Sequence, residues 1–430
     1  MPDTKSSLIQ QYFQYQKDIE VKYGEKSIVL MMVGSFYEAY GLEIGTDRIL
    51  HRQRQTQTPK MCEEQIGNLE QASKLLGIAM TKKSKERPLT PENPYMCGFP
   101  TYAMPKHLAK LLNAKYTVAV YDQYDSEDPR KDKERRLANI YSPSTYVSDE
   151  IDTNNIILAC YIESFVCPIT KTRRMTMAAS HIDLSTGTAV CYEYMDDQDH
   201  PHHVKYEICK LMYHLGPTEV IFIDPTSPTD KHFIDDICKE IKNTMYHIVP
   251  FDKKYHDHDY QEAFLHKVYE TKFTTSKVKP ESWKEFAGLD HSSELTACFI
   301  QLLQFAYEHD PHIIEKIELP GSYHDNEILF MNQDAVTNLN LLPESSNNNH
   351  NNQISCFSII NKTKTKMGER LLKFRLMRPI TNIEQIEERY NMVDMVKPYH
   401  REYTTSLKKL VDIDKKYRKL VLGRLPIHEF

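Results

Sequence analysis

In the stretch "VGSFYEAYG", Val33 to Gly41, an aromatic ring, Phe36, and a carboxylate, Glu38, lie two residues apart directly after the apolar run "IVLMM". Successive side chains of a strand point to opposite faces, so Phe36 and Glu38 would project together while Tyr37 projects the other way. An aromatic wedge and an acid would then act together on whatever meets that face. For an isolated F-x-E the simpler reading is a core phenylalanine and a solvated strand end. The rest of the chain has to decide between the two.

Cations cluster in "DRILHRQRQTQTPK" (Arg48, Arg52, Arg54, Lys60), "TKKSKER" (Lys82, Lys83, Lys85, Arg87) and "PRKDKERR" (Arg130 to Arg136). Any one such run is usually a solvated loop, but three in one domain suit a phosphate-binding face. Catalytic motifs are missing: no glycine is followed by lysine, which excludes the phosphate-cradling G-x-x-x-x-G-K-[ST], and neither H-E-x-x-H nor G-x-S-x-G occurs. The histidines of "HDHDY" (His256, His258) and "DHPHH" (His200, His202, His203) have no Cys, His or carboxylate partners at a fixed metal-ligand spacing, so no metal site is assigned. Asp183, Glu163 and Glu193 are carboxylates near strands, and paired acids can hold Mg²⁺ for phosphodiester cleavage; a Mg²⁺-dependent nuclease is therefore an alternative function.

The elements that must position these groups follow from periodicity. "SLIQQYFQYQKDIEVKYG" reads as a helix with a Ser7-x-x-Gln10 capping box, Leu8, Tyr12, Ile19 and Tyr23 near one face, and a stop at Gly24. The strand "IVLMMV", the helix "NLEQASKLLG", the strand-like "IAMT", the helix "MPKHLAKLLNA" and the strand "YTVAVYDQY" complete an α+β domain over residues 1–140. After the turn-rich "YSPST", strands ("NIILACYI", "MTMAASHIDLSTGTAVCYEY"), a helix ("VKYEICKLMYHLG") and a strand ("EVIFID") predict an α/β domain over 150–255. From 256 to 430 the pattern is mostly helical; in "SSELTACFIQLLQFAYEHD" Leu295, Phe299, Leu302, Leu303 and Ala306 fall on one helix face. "SSNNNHNNQ" reads as a polar loop.

At 430 residues, 40% of them hydrophobic, the chain is multidomain, with enough apolar residues for real cores. It has no apolar run of membrane-spanning length and no apolar block of a secretory signal at its start, the pattern of a soluble intracellular protein. Nine cysteines without a C-x-x-C pair predict reduced, mostly buried thiols. The net charge of −6 hides an asymmetry: residues 1 to 136 hold 21 Lys and Arg against 18 Asp and Glu, and the remainder 33 against 42. The basic bias sits where Phe36 and Glu38 are.

Taken in order, "QQYFQYQKDI", "MMVGSFYEAY", "ASKLLGIAMTKK", "PYMCGFPTYAMPKHLAKLLNAKYTVAVYDQ", "RRLANIYSPST", "ASHIDLSTGTA" and "TKTKMGERLLKFRLMRPITNIEQIEERYNMV" resemble the N-terminal half of the MutS family of DNA mismatch-recognition proteins. The resemblance implies a mismatch-binding domain over 1–140, an RNase H-like connector over 150–255 and the start of a helical core and lever over 256–430, ending before the family's clamp and ATPase. By it, Phe36 is the wedge that stacks on a mispaired base in kinked duplex and Glu38 its companion acid. Lys82 and Lys83 sit where the family has basic residues after the short strand and are the candidate DNA-backbone contacts; Arg52, Arg54 and Arg135 join them on charge alone, and "GLEIGTDRILHRQRQTQTPKMCEEQIG", which holds Arg52 and Arg54, is longer than the family segment. It further implies double-stranded DNA with mismatches or small loops as partner, a homodimer in the full-length protein, and no membrane. No cofactor is expected on this chain, ATP and Mg being needed by the C-terminal half. An intracellular, DNA-associated location follows, in cytoplasm or, if the long segment and Asn-rich loop mark the giant-virus and mitochondrial branch, in a viral factory or organelle. A helical scaffold for partner proteins is the third functional class.

Overall fold

The computed structural model describes residues 8–42, 69–84, 86–125, 133–148, 155–196, 203–224, 228–240, 244–270, 280–322, 328–329, 331, 333–343 and 354–427. The chain divides into two compact units, Met1–Thr153 with Glu308–Asp310, and Asn154–Tyr307 with Pro311–Phe430. No helix among the described residues is long and apolar enough to cross a membrane.

In the first unit, α1 (Leu8–Tyr23), β1 (Ser27–Val33), β2 (Phe36–Gly41), α2 (Leu69–Leu76), β3 (Thr81–Lys82), β4 (Tyr95–Pro100), α3 (Met104–Asn113), β5 (Thr117–Tyr124) and β6 (Glu134–Tyr141) follow one another. The sheet runs β3-β4-β2-β1-β5-β6, with β1 and β5 parallel and the other pairs antiparallel. β1 is the unbroken apolar run because it is central and covered on both faces. Its hairpin to β2 turns through Gly34 and Ser35; Gly34 has φ +62°, which a side chain would strain.

The packing of α1 departs from the expected apolar stripe. Leu8 is only half-buried, while Gln16 is buried along with Ile9, Tyr12, Ile19 and Tyr23. Pairing of β1 with β2 stops at Met31 opposite Glu38, which leaves main-chain groups of β1 to be satisfied elsewhere. Gln16 donates to Ser27 O (2.9 Å) and accepts from Val29 N (2.9 Å), and the Tyr12 hydroxyl donates to Val29 O (3.1 Å). Two polar side chains of α1 thus do the work of a missing strand neighbour.

The second unit carries β7 (Ile156–Val166), β8 (Arg173–Asp183), β9 (Thr188–Met195), α4 (His203–Leu215), β10 (Glu219–Ile223), α5 (Pro228–Glu240), β11 (Met245–Val249), α6 (His258–Tyr269), α7 (Trp283–Phe286), α8 (Ser293–His309) and β12 (Gly321–Ser322). Its sheet runs β11-β10-β7-β8-β9-β12, with β7, β8 and β9 an antiparallel meander and β10 and β11 parallel to β7. Leu158, Cys160, Ile162, Met177 and Phe222 of the sheet pack with Val204, Ile208 and Leu211 of α4. α8 is more deeply enclosed than a one-faced helix: besides Leu295, Phe299, Leu302, Leu303 and Ala306, residues Ala297, Cys298 and Ile300 are buried.

Helices α9 (Gln333–Asn338), α10 (Cys356–Ile360), α11 (Lys366–Met377), α12 (Ile383–Val396), α13 (His400–Leu407) and α14 (Ile413–Val421) follow. Here polar contacts organise the packing. Arg370 of α11 bonds Asp412 with both terminal guanidinium nitrogens, and its Nη2 also reaches Asp414 at 3.0 Å. Arg418 of α14 is buried, donating to the carbonyls of Leu184 (3.2 Å), Ile313 (2.6 Å) and Glu315 (3.2 Å). Gly187 leaves room for it, since a Cβ there would come within 3.2 Å of the guanidinium.

His181 of β8 is enclosed beside Tyr192, its Nδ1 2.8 Å from the hydroxyl, and burial with Arg378 nearby pushes its pKa from 6.5 down to about 4. Between those values the unfolded chain binds more protons than the folded one, so stability is full above pH 6.5 and falls as pH drops towards 4, by roughly 3 kcal/mol in total. Urea unfolding across this window should show that slope in the wild type and lose it in His181→Gln.

Candidate nucleic-acid interface

β2 pairs with β1 (Val33 opposite Phe36, Met31 opposite Glu38) and with β4 (Phe36 opposite Pro100, Glu38 opposite Gly98). This register sends Phe36, Glu38 and Tyr40 to one face and Tyr37 and Ala39 to the other. The large rings then separate as the alternation requires: Phe36 is 44% exposed and Tyr37 8%. Tyr37 lies near Phe99, and its hydroxyl donates to Asp122 Oδ1 at 2.7 Å. A 3₁₀ turn, Thr101–Ala103, docks on the hairpin through Thr101 N to Ser35 O (3.0 Å) and carries the widely exposed Tyr102.

Glu38 is half-buried beside a group the sequence reading did not single out. The Tyr40 hydroxyl donates to Glu38 Oε2, and the Tyr40 ring is buried edge-on to Tyr12, with centroids 5.0 Å apart. Burial, then the bond to Glu38, raises the Tyr40 pKa, so the phenol remains a donor. Lys83 Nζ sits 5.5 Å from the centre of the Tyr40 ring. Burial depresses the Lys83 pKa; Glu38 opposes that shift and Arg135 adds to it. Gly98 keeps this space open, for a Cβ there would come 2.9 Å from Tyr37 O and 3.2 Å from Glu38 Cγ. The signal for Tyr40 was available in the same alternation that paired Phe36 with Glu38.

Of the cations expected at the site, Lys83 lies within electrostatic reach of Glu38, and Arg135 within reach of Lys83 and Tyr40. Arg135 Nε donates to Met32 O (3.2 Å), and its own carbonyl accepts from Tyr15, which stacks on Tyr121 at 4.1 Å. Lys82 pairs at Tyr95 on the sheet's edge strand and joins none of these contacts. Asn93 ties the basic loop after β3, accepting from Ser84 N and donating to the carbonyls of Ser84, Arg87 and Pro88. Arg52 and Arg54 lie outside the described residues.

The carboxylates considered for metal-assisted cleavage are divided. Glu163 and Glu193 line one cavity of about 260 Å³ together with Glu294 and Tyr161. Asp183 stands at the end of β8, where its Oδ1 accepts from Ser185 N (2.8 Å) and Oγ (2.6 Å) and so holds a turn. Glu193 accepts from Ser292 Oγ. Among the described residues no group of three or more His, Cys, Asp or Glu is arranged to hold a metal ion.

The contrast between Phe36 and Tyr37 yields a direct stability test. Phe36→Ala should change the unfolding free energy by no more than about 1 kcal/mol, whereas Tyr37→Ala should cost about 3–5 kcal/mol. Urea titration of both variants checks the pair.

Comparison with known proteins bears on what this surface belongs to. Residues 68–150 match the family model for MutS domain I and residues 334–429 that for MutS domain III. The matched part of domain I starts downstream of Phe36 and Glu38. Over 99% of its length the chain is 26% identical to a DNA mismatch repair protein mutS homologue of Acanthamoeba polyphaga mimivirus. It is 25% identical over 92% to a DNA mismatch repair protein MutS of Christiangramia forsetii, and 24% identical over 91% to that of Thermotoga neapolitana. In each case the alignment covers 38% of the relative, so the chain spans about two fifths of their length. Two MutS domain models matched in the family's order, together with relatives that align with nearly the whole chain, relate it to the MutS family.

Proposed function

We propose that the chain recognises mispaired or looped positions in double-stranded DNA, with Phe36 as the inserted wedge and Glu38 as the acid that meets the displaced base. The observation that carries this reading is an exposed ring beside a carboxylate anchored to a buried tyrosine, on the only face of β2 where a bulky aromatic stays in solvent. A mispaired step is easier to unstack and bend than a paired one, so a ring entering from the minor groove selects it by deformability. Stacking one base on an aromatic contributes about 1–3 kcal/mol, comparable to the few kcal/mol that unstacking costs. Glu38 adds selection of a second kind: near phosphates a carboxylate is unfavourable unless a base group hydrogen-bonds to it, which penalises ordinary duplex.

Lys83 and Arg135 supply the cationic surroundings that lower this electrostatic penalty, with Lys82 and the stretch holding Arg52 and Arg54 as further backbone contacts. In the whole protein, recognition is coupled to ATP hydrolysis with Mg by a C-terminal half of the kind its longer relatives have room for, in a homodimer that closes around DNA inside the cell. The likeness to the mimivirus homologue supports placing the chain in the divergent giant-virus and mitochondrial branch.

The test is binding at fixed salt to a duplex with one G·T pair and to its G·C counterpart. Wild type should prefer the mismatch, and Phe36→Ala should bring the two affinities together. Equal binding by wild type, or an undiminished preference in the variant, overturns the wedge reading.

A further inference from the structure

Tyr12 of α1 and Tyr40 of β2 are buried side by side, and their hydroxyls have different fates. That of Tyr12 donates to a main-chain carbonyl, Val29 O, at 3.1 Å. That of Tyr40 donates to a side chain of the proposed DNA site, Glu38 Oε2. A buried hydroxyl needs a partner, and the partner it is given shows what the arrangement holds in place.

We propose that Tyr40 is the positioning residue for Glu38: its hydroxyl holds Oε2 so that Oε1 is the oxygen presented to a displaced base. The inference rests on the mismatch reading above. Tyr40 and Glu38 share a strand face at i and i+2, which sets the hydroxyl at the height of the carboxyl. The donor cannot wander, because the ring is 1% exposed, edge-on to Tyr12 and beneath Lys83 Nζ. The acceptor has room to lie against it because Gly98 stands opposite. A carboxylate offers two oxygens and accepts only; among the described residues no donor is placed on Oε1. Hydrogen bonds to ionised acceptors are the strong, directional ones, so a single phenol suffices to select one rotamer of a side chain that otherwise samples several. A phenyl ring at position 40 would fill the same volume and pack on Tyr12 equally well. The hydroxyl is therefore dispensable for the core and is assigned to the site.

Tyr40→Phe is the decisive variant, read as the ratio of affinities for the G·T and G·C duplexes at fixed salt, with melting temperature as the folding control. The ratio should fall by about fivefold, the loss of one hydrogen bond's net contribution, with melting nearly unchanged. In a Glu38→Ala background the same substitution should alter the ratio by less than about twofold, since a residue acting only through Glu38 has nothing left to position. An unchanged ratio in Tyr40→Phe, with Phe36→Ala still abolishing it, overturns the positioning role and leaves the mismatch reading standing. A wild type with no preference overturns both. Should Tyr40→Phe fold poorly, carbon NMR of Cζ-labelled tyrosine replaces it: Glu38→Gln should move a buried tyrosine resonance, and a spectrum without any such movement overturns the proposal.

Discussion

The pairing of β2 between β1 and β4 is the constraint on which the candidate interface depends. Each strand residue faces opposite to its neighbours, so a slip of one residue would bury Phe36 and expose Tyr37. Three local features hold the register. Gly34 makes the two-residue turn that sets Val33 against Phe36. Gly98 admits the Glu38 side chain where any other residue would strike the Tyr37 carbonyl. Asp122 receives the Tyr37 hydroxyl on the opposite face.

The same constraint explains how an acid is accommodated on a face proposed to meet DNA. Glu38 is not a stray surface carboxylate; Tyr40 bonds it, Lys83 lies within electrostatic reach of it, and Arg135 within reach of Lys83 and Tyr40. Arg135 is itself tethered to the main chain of β1 and stands beside the stacked Tyr15 and Tyr121. The result is an arrangement of alternating sign with one exposed ring at its edge. Such a layout suits a surface that must tolerate phosphates while rejecting a well-stacked base pair.

In the second unit buried polar groups are equally instructive. Among the described residues no carboxylate bonds Arg418, which instead satisfies three main-chain carbonyls, one of them in the turn after β8. A guanidinium can do this because its donors fan out in a plane. Helices α11 and α14 are joined by Arg370 and its two aspartates rather than by an apolar seam, and large side chains such as Tyr390 and Met395 of α12 stay exposed.

Order and type of most elements were legible in the sequence, because strand alternation, capped helices and glycine stops are local signals. The pairing of Phe36 with Glu38 on one face was legible for the same reason, and the spaced segments around it carried the family resemblance. What the sequence could not decide depends on neighbours distant along the chain. Gln16 reads as a surface residue until β2 is seen to leave main-chain groups of β1 unpaired. The five-residue stripe of α8 hides that helix's wider burial, since apolar spacing does not report how many elements surround it. Lys82 and Lys83 are adjacent and equally charged, yet only Lys83 reaches Tyr40, because an extended chain turns neighbours apart and only the folded sheet shows which side holds the site. The sequence by itself determined which residues could act together on one strand face; the tertiary structure decided which of them meet, because burial and hydrogen-bond partners are properties of packing between segments.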